Sequence, residues 1–466
     1  MKDHLFRQIG QTITNRIERG ELKPGDKLPS VRSLALELGV HRLTVFKAYQ
    51  QLKHRGSVTV VDKSGYYVKE DASPLVGLDY PVVSSYVHKS HLSEIHRIHA
   101  DYQFSQAVID PDLLPNQYTS SSAKHVLDLY PKVFSTYAAV QGDSELRDYL
   151  SHYFYQNQKQ LASPEEILIA SGSQQAIDLI ARVLVRRGDT VLIERPTYSA
   201  AIDVFHNIGA RLLTADLTAE GYNLVQIEKL MKEYRPRLFY SNPTFQNPTG
   251  YTVPLEQRKQ LVDLAEKYQV FLLEDDAFRD IYFADKPPLP LSSYDVHGHC
   301  IYVRSFSKYI APGLRIAAVV CREPLMQQLL AAKSLMDNGT PLLNQKLFLH
   351  YFRSDRLQQH IEKLRTALEI RKEVMETSLA DQQLTWESPS GGLNLWVRVP
   401  DAINMDRLLA ECLTHSLSFV PGTICDPLKK QEHWVRLSYS FMNEQKIKEG
   451  ITRFKDILKK LNKEII

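Results

Sequence analysis

Apolar positions near the start of the chain recur at the spacing of helices. A first helix is predicted over residues 4–19 by a stripe that advances in steps of four positions. That stripe consists of Leu5, Ile9, Ile13 and Ile17. A second helix is expected to follow Ser30, its N-cap, and to extend through Leu38. A third, over residues 41–54, would turn one face inward. The inward positions are Val45, Ala48, Tyr49 and Leu52.

A β-branched run at residues 58–61 and a Tyr-Tyr-Val run at residues 66–68 flank a turn and predict a hairpin after the third helix. Three helices followed by a hairpin are typical of a winged helix-turn-helix, whose third helix enters the major groove of DNA. Residues 1–70 hold 13 Lys and Arg against 7 Asp and Glu, a net charge of +6, whereas the remainder holds 44 against 47. This asymmetry indicates that the first 70 residues meet a polyanion.

Between about residues 100 and 445 the pattern changes to short apolar strands separated by helical stretches. The clearest strands are 167–170, 190–193, 237–240 and 270–273. This alternation predicts an α/β domain around a mainly parallel sheet, with ligands at the carboxyl ends of the strands. Residues 71–99 mix proline, glycine, serine and histidine without a period, which indicates a linker. The expected domains are therefore residues 1–70 and 100–466.

Composition narrows the class of protein. The chain is 43% hydrophobic and 24% charged, as in soluble globular proteins. Its four cysteines have no CxxC spacing, and the histidines near residues 88–99 match no standard metal site, so we expect no metal. Without an apolar run of 18 residues or a leading apolar segment, neither a membrane span nor a secretion signal is expected. A cytoplasmic location is consistent with this composition.

A candidate catalytic lysine follows the apolar strand pattern at residues 301–303. Lys308 comes after two alternating hydroxyls, Ser305 and Ser307, and precedes Arg315, whose guanidinium suits a phosphate. An amine in a partly desolvated, cation-rich pocket has a depressed pKa and can condense with an aldehyde. Pyridoxal phosphate is an aldehyde that carries a phosphate, and it is the expected cofactor.

Further candidates follow other strands. Gly172, Ser173 and Gln174 open a helix whose N-terminus could hold a phosphate, although glycine at such a turn is often only geometry. Tyr198 could stack on a flat ring or could be a core tyrosine. Asn247, in an Asn-Pro-Thr-Gly sequence, can donate to a phenolate oxygen. One carboxylate of the strand end at residues 274–276 would pair with a pyridinium nitrogen.

The order of these motifs, ending with Arg436 in a late strand pattern, resembles the fold-type I aminotransferases over nearly all of residues 100–445. The resemblance implies a large, mainly parallel sheet with a smaller C-terminal α+β subdomain. It implies Asp275 as the pyridinium partner, with Asp276 as the alternative. It makes Arg436 the clamp for an amino acid's carboxylate, although an internal Asp or Glu partner is the other reading. Tyr137 matches a tyrosine that reaches the cofactor phosphate from a second subunit.

The sequence of residues 20–56 resembles the GntR family of bacterial transcription regulators. By this resemblance four side chains and one wing-tip glycine would contact DNA. They are Arg32, Arg42, Thr44, Lys47 and Gly65.

The two halves together resemble the MocR subfamily, which implies a head-to-tail homodimer that binds operator DNA. Its body would bind pyridoxal phosphate and sense that cofactor or an amino acid or amine effector. The alternative is a working aminotransferase with an added DNA-binding head. Phe278 stands where the family usually has a tyrosine that bonds the phenolate oxygen, which leaves Asn247 as the main donor there. This departure favours sensing over turnover.

Overall fold

A computed structural model describes residues 2–18, 21–23, 25–54, 57–61, 64–69, 98–116, 119–306, 308–380 and 383–464. The chain divides into two compact units, Met1–Tyr86 and Val87–Ile466. Ser307 and nearly all of the predicted linker, residues 71–99, lie outside the described residues. The domain boundaries at residues 70 and 100 therefore stay predictions.

The first unit contains three helices and a hairpin, as predicted. The helices are α1 (Lys2–Glu18), α2 (Val31–Glu37) and α3 (Arg42–His54), and the antiparallel strands are β1 (Val58–Val61) and β2 (Gly65–Val68). The side chain of Ser30 caps α2 by accepting a hydrogen bond from the Ser33 amide at 3.0 Å. The core contains the four side chains predicted to face inward from α3, which are Val45, Ala48, Tyr49 and Leu52.

The second unit is built from eleven further helices and thirteen strands among the described residues. The helices are α4 (Thr119–Leu129), α5 (Ser144–Gln158), α6 (Ser173–Leu184), α7 (Ser199–Ile208), α8 (Leu224–Tyr234), α9 (Leu255–Tyr268), α10 (Leu325–Met336), α11 (Leu342–Phe352), α12 (Asp355–Leu379), α13 (Met405–Thr414) and α14 (Glu444–Lys463). The strands are β3 (Tyr102–Gln103), β4 (Ile167–Ala170), β5 (Thr190–Arg195), β6 (Arg211–Thr218), β7 (Gly221–Tyr222), β8 (Leu238–Ser241), β9 (Phe271–Asp276), β10 (Cys300–Ser305), β11 (Ala317–Val320), β12 (Asn394–Arg398), β13 (Leu417–Ser418), β14 (Val420–Pro421) and β15 (Trp434–Ser438).

Eight strands form the central sheet in the order β4-β11-β10-β9-β8-β5-β6-β7. The strands pair in parallel from β10 through β6, whereas β11 runs antiparallel to both its neighbours. Every residue of β4, β8 and β10 is buried, because apolar clusters cover both faces of the sheet. The predicted mainly parallel sheet is confirmed, although its antiparallel strands β11 and β7 were not anticipated.

A smaller antiparallel sheet, in the order β12-β15-β14, shares one hydrophobic core with α12, α13 and α14. This is the predicted C-terminal α+β subdomain. Arg436 lies in its middle strand, opposite Trp396 in the register. No helix in the described ranges is long and apolar enough to cross a membrane. The same residues contain no group of three or more His, Cys, Asp and Glu placed to hold a metal ion.

Candidate functional site

Side chains at the carboxyl ends of parallel strands meet around one cavity of ≈ 110 Å³. The lining residues are Ser173, Gln174, Tyr198, Asn242, Asn247, Asp275, Ala277, Phe278, Ser305, Lys308 and Arg315. They lie at or beyond the ends of β4, β5, β8, β9 and β10. The fold thus brings together eight residues that the sequence proposed for one site, from segments up to about 140 positions apart along the chain.

Lys308 lies in a cationic part of this cavity. Burial lowers the pKa of its amine to about 8, and the neighbouring guanidinium groups of Arg315 and Arg436 add to this effect. Asp275 opposes it, because its negative charge favours the ammonium form. A lysine whose pKa lies this close to physiological pH is more often neutral than a solvated lysine. It is therefore the better nucleophile.

Arg315 lies against the turn that opens α6. A Cβ atom added to Gly172 would fall 2.5 Å from Nη2 of Arg315, so only glycine allows the guanidinium to lie there. Gly172 also has φ of +95°, which other residues rarely adopt. The N-terminus of α6, Ser173 and Arg315 therefore present amide, hydroxyl and guanidinium donors to the same side of the cavity.

The two adjacent aspartates of β9 have different environments, because successive residues of a strand face opposite sides of the sheet. Asp275 lines the cavity, and its Oδ2 accepts a hydrogen bond from the Tyr240 hydroxyl at 2.8 Å. Its buried Oδ1 has no hydrogen-bond partner. Burial raises the pKa of Asp275 to about 7 despite the bond from Tyr240. Because Asp275 lines the cavity, a cationic N–H there would suit this unpartnered oxygen.

Asp276 is hydrogen-bonded to residues outside the cavity. Its Oδ2 accepts from Arg279 Nε at 2.5 Å and from the Tyr302 hydroxyl at 2.9 Å. Burial opposes ionisation of Asp276, but Arg279 and Arg304 outweigh it and hold its pKa below the ordinary value. Asp276 does not line the cavity. This placement favours Asp275 over the alternative.

Arg436 is buried beside the cavity and lies next to Asn247. It donates to Oδ1 of Asn247 at 3.1 Å from Nη1 and to the backbone carbonyl of Ser105 from Nη2, while its Nε has no partner. Burial lowers the pKa of Arg436, and no carboxylate of the described residues pairs with it. The internal Asp or Glu considered from the sequence is therefore not found in the described part of the chain. A buried guanidinium without an anion is a favourable site for one.

Two residues that support the site were not singled out from the sequence. Tyr240 holds Asp275, as described above. Glu194, fully buried in β5, accepts from the hydroxyl groups of Tyr222 and Ser241, the Asn242 amide and the Gln246 side chain. A charged residue inside an apolar strand run was the available signal, since a carboxylate is rarely buried unless it is fully hydrogen-bonded. Glu194 thereby fixes the loop that carries Asn242 and Asn247.

The remaining predicted residues lie outside this cavity. Tyr137 is 89% exposed in the single chain. In the first unit, Arg32, Arg42 and Lys47 are exposed, and Thr44 is partly buried. Gly65 begins β2 with φ of +128°, which fits the expected wing-tip geometry.

Two family models match the chain. Residues 113–454 match aminotransferase class I and II, and residues 5–68 match the gntR family of bacterial regulatory proteins. Both matches lie within the units that the fold separates.

Curated relatives and solved structures are similar over most of their lengths. The chain is 31% identical to an HTH-type transcriptional regulator, YisV of Bacillus subtilis, over 96% of this chain and 94% of that protein. It is 33% identical to the 2-aminoadipate transaminase of Thermus thermophilus, over 77% and 90%. The crystal structure of LysN, the α-aminoadipate aminotransferase of Thermus thermophilus, covers 81% of this chain and 96% of its own, with a TM-score of 0.76 and 31% identity. The chain therefore belongs to the aminotransferase class I and II family, and it carries a GntR-type helix-turn-helix domain at its N-terminus, the architecture of the MocR-like regulators.

Proposed function

We propose that this protein is a transcription regulator whose first unit binds operator DNA and whose second unit binds pyridoxal phosphate at Lys308. In this proposal the second unit senses the cofactor itself or an amino acid or amine that reacts with it. The observation that carries the proposal is the orphaned, buried Oδ1 of Asp275, in the same cavity as Lys308 and Arg315. Pyridoxal phosphate is the general cofactor of the aminotransferase class I and II family.

The residues present fit this cofactor. Arg315, Ser305, Ser173, Gln174 and the backbone at Gly172 would hold the phosphate, because they supply donors and positive charge on one side of the cavity. We include Ser307 among the phosphate ligands on the sequence pattern alone. When bound, the cofactor supplies an electron-withdrawing ring that stabilises negative charge on the carbon next to a captured amine.

Other side chains would orient the ring. Asp275 would accept from the ring nitrogen through Oδ1 and keep it protonated. Because Oδ1 of Asn247 already accepts from Arg436, the amide NH₂ is the part of Asn247 left to donate to the phenolate oxygen. Tyr198 lines the cavity and also packs against two apolar clusters, so stacking on the ring and a core role are compatible.

Arg436 would bind the carboxylate of an amino acid effector. Its unpartnered Nε and its burial without an anion support this role. The effector class that we propose is therefore an α-amino acid, with simple amines as weaker ligands.

We further propose that the active form is a head-to-tail homodimer, in which Tyr137 reaches the cofactor phosphate of the second subunit. Large apolar side chains cluster on the surface around it, which supports an interface. Phe134 is 74% exposed and Leu335 is 90% exposed. The segment that contains Phe134 and Tyr137 touches the segment that contains Leu335, since a Cβ atom at Gly339 would lie 3.3 Å from the carbonyl oxygen of Ala138.

Arg32, Arg42, Thr44, Lys47 and Gly65 would contact the DNA, in keeping with the GntR match and the basic first 70 residues. A cytoplasmic location would follow from this role.

The second candidate is a working aminotransferase with an added DNA-binding head. The 33% identity to 2-aminoadipate transaminase and the presence of the cofactor positions other than the tyrosine replaced by Phe278 favour it as an additional activity. Release of a 2-oxo acid during incubation with amino acids would detect such turnover.

The cofactor assignment is tested by borohydride reduction of the protein loaded with pyridoxal phosphate. The loaded protein is expected to be yellow, and reduction should leave the cofactor on the peptide that contains Lys308. The Lys308→Ala protein should lose both signals, whereas Lys333→Ala, which removes a buried lysine paired with Asp337, should keep them. If Lys308→Ala retains the same band, the assignment is wrong.

A further inference from the structure

The exposed face of α3 carries two large apolar side chains. Val45 and Leu52 point into the core, and a helix turns about 100° per residue, so the opposite face centres near Leu43 and Lys47. Leu43 is 59% exposed and Phe46, on the adjoining strip, is 47% exposed. Large apolar side chains thus lie open to water on the helix whose charged neighbours are Arg42 and Lys47.

Gln50, an uncharged polar residue on this face, already has a hydrogen-bond partner. The side-chain NH₂ of Gln50 donates to the Tyr66 hydroxyl of the wing at 3.1 Å, so this donor is already used within the unit. The base edges beneath the middle of α3 would therefore meet Leu43 and Phe46. Hydrogen bonding there would fall to Lys47, beside Leu43 on the same face, and to Arg42 at its edge.

The major groove of DNA offers one apolar feature, the C5-methyl group of thymine. The cationic side chains on and beside this face are complementary to the phosphates on either side of the groove, and residues 1–70 carry the net charge of +6 noted above. The two apolar side chains match the thymine methyl groups on the floor of a major groove, and the neighbouring cations match the phosphates along its walls.

We propose that Leu43 and Phe46 read thymine methyl groups and so make the protein select operator half-sites with thymines under the first turns of α3. This inference rests on the proposed function, since it requires α3 to enter the major groove. In this inference, Leu43 and Phe46 contribute to the sequence specificity by apolar contact and not by hydrogen bonding.

The experiment uses the full-length protein and a duplex library with a randomised segment, from which bound sequences are selected. In the selected duplex each thymine is then replaced singly by deoxyuridine, which removes the methyl group and leaves base pairing intact. We expect roughly fourfold weaker binding for each contacted methyl, the value that corresponds to the transfer of one buried methyl-sized group. Uracil at uncontacted positions should have no effect.

The variants Leu43→Ser and Phe46→Ala test which residue contacts which thymine methyl group. Each variant should lose the uracil penalty at its own thymine and keep the penalty at the other. Leu36→Ser is the matched control, because Leu36 is an 83% exposed leucine of the same unit that lies on α2. Its uracil penalties should equal those of the parent protein. All three positions are exposed, so circular dichroism should report unchanged folding.

Three outcomes would overturn the inference. Equal affinity for thymine and uracil duplexes would show that no methyl group is read, and Leu43 and Phe46 would then be left for a protein contact. A penalty that persists in Leu43→Ser and Phe46→Ala would place the contact elsewhere. If the library yields no bound duplex at all, the DNA-binding function proposed above fails together with this inference, whereas the first two outcomes leave that function standing.

Discussion

At the scale of the residue, the chemistry of the cavity is governed by how three cations and one carboxylate in and beside it shift one another's pKa values. Lys308 loses affinity for its proton because it is buried near Arg315 and Arg436, while Asp275 gains affinity for one because burial outweighs its bond from Tyr240. Each shift moves its group towards neutrality. In a ligand with a phosphate and a cationic ring, the ring would favour the ionised form of Asp275. The phosphate would pair with the positive charge of Arg315.

The pH dependence of cofactor capture follows from the lowered pKa of Lys308. Its amine is neutral, and able to react, above a pH of about 8, so the rate of colour formation with pyridoxal phosphate should rise through pH 8 and level off above it. In Arg315→Met the midpoint should move up towards the ordinary lysine value, because a neighbouring cation is removed. Arg186→Met, which changes an exposed arginine, should leave the midpoint in place. A midpoint common to all three proteins would contradict this account.

Phe278 gives a second prediction at this scale. It lines the cavity and is 2% exposed, yet a phenyl ring donates no hydrogen bond. Phe278→Tyr should therefore tighten the binding of pyridoxal phosphate by about 1 kcal/mol, roughly fivefold, measured by equilibrium titration. Phe271→Tyr, which adds a hydroxyl at the other end of β9, should not change the affinity. Unchanged or weaker binding in Phe278→Tyr would mean that no acceptor lies within reach of the new hydroxyl.

At the scale of the element, the loop between β8 and α9 depends on one buried carboxylate. All the groups that approach Glu194 can donate, so an acceptor with two oxygens satisfies them. The side chain of Gln246 then extends the network by accepting from the Thr249 amide at 3.2 Å and hydroxyl at 2.8 Å. The rigidity of this loop is what positions Asn242 and Asn247 in the cavity.

Glu194→Gln should loosen this loop, because the new NH₂ group must face at least one donor. The expected loss is about 1–3 kcal/mol of unfolding free energy, the usual cost of leaving a buried donor unsatisfied. Hydrogen exchange of the peptide that contains residues 242–249 should accelerate, and exchange in the first unit should not. Glu220→Gln changes an exposed carboxylate nearby and serves as the control. Equal exchange in all three proteins would remove Glu194 from this role.

At the scale of the whole molecule, a regulator requires that ligand binding to one unit changes the DNA affinity of the other. An effector changes DNA binding only by the difference in its affinity for two states, typically about 1–3 kcal/mol, and operator DNA must then change effector affinity by the same factor. This reciprocity makes the coupling measurable from either side. It holds for any arrangement of the two units.

The coupling prediction is tested by titrating pyridoxal phosphate and amino acids with and without the selected duplex. We expect the two binding curves to differ for the true effector. Arg436→Ala should keep pyridoxal phosphate binding and lose the response to amino acids, because the carboxylate loses its guanidinium. Arg398→Ala, an exposed arginine on neighbouring β12, is the control. A full amino acid response in Arg436→Ala would make that arginine structural, or would leave the cofactor as the effector.

Much of this protein was determined by patterns that act over a few residues. The apolar stripe of α1, the N-cap Ser30 of α2, the hairpin and the buried strands were predictable. Periodicity and capping depend on residues that are near neighbours in the sequence. The residue types at strand ends, such as Lys308 and Asn247, likewise pointed to one edge of a parallel sheet. The antiparallel β11 could not be predicted in this way, since a strand's direction is set by the partners it pairs with and not by its own composition.

Only the tertiary structure decided which of these side chains face the cavity. Asp275 and Asp276 are adjacent and chemically identical, yet β9 turns one towards Lys308 and the other towards Arg279. Whether Arg436 has an anionic partner depended on Asn247 and Ser105, residues far away in the sequence. The requirement for glycine at position 172 comes from Arg315 lying against it. The physical reason is common to all three: burial and charge at a site are sums over neighbours that the fold supplies, and the local sequence does not contain them.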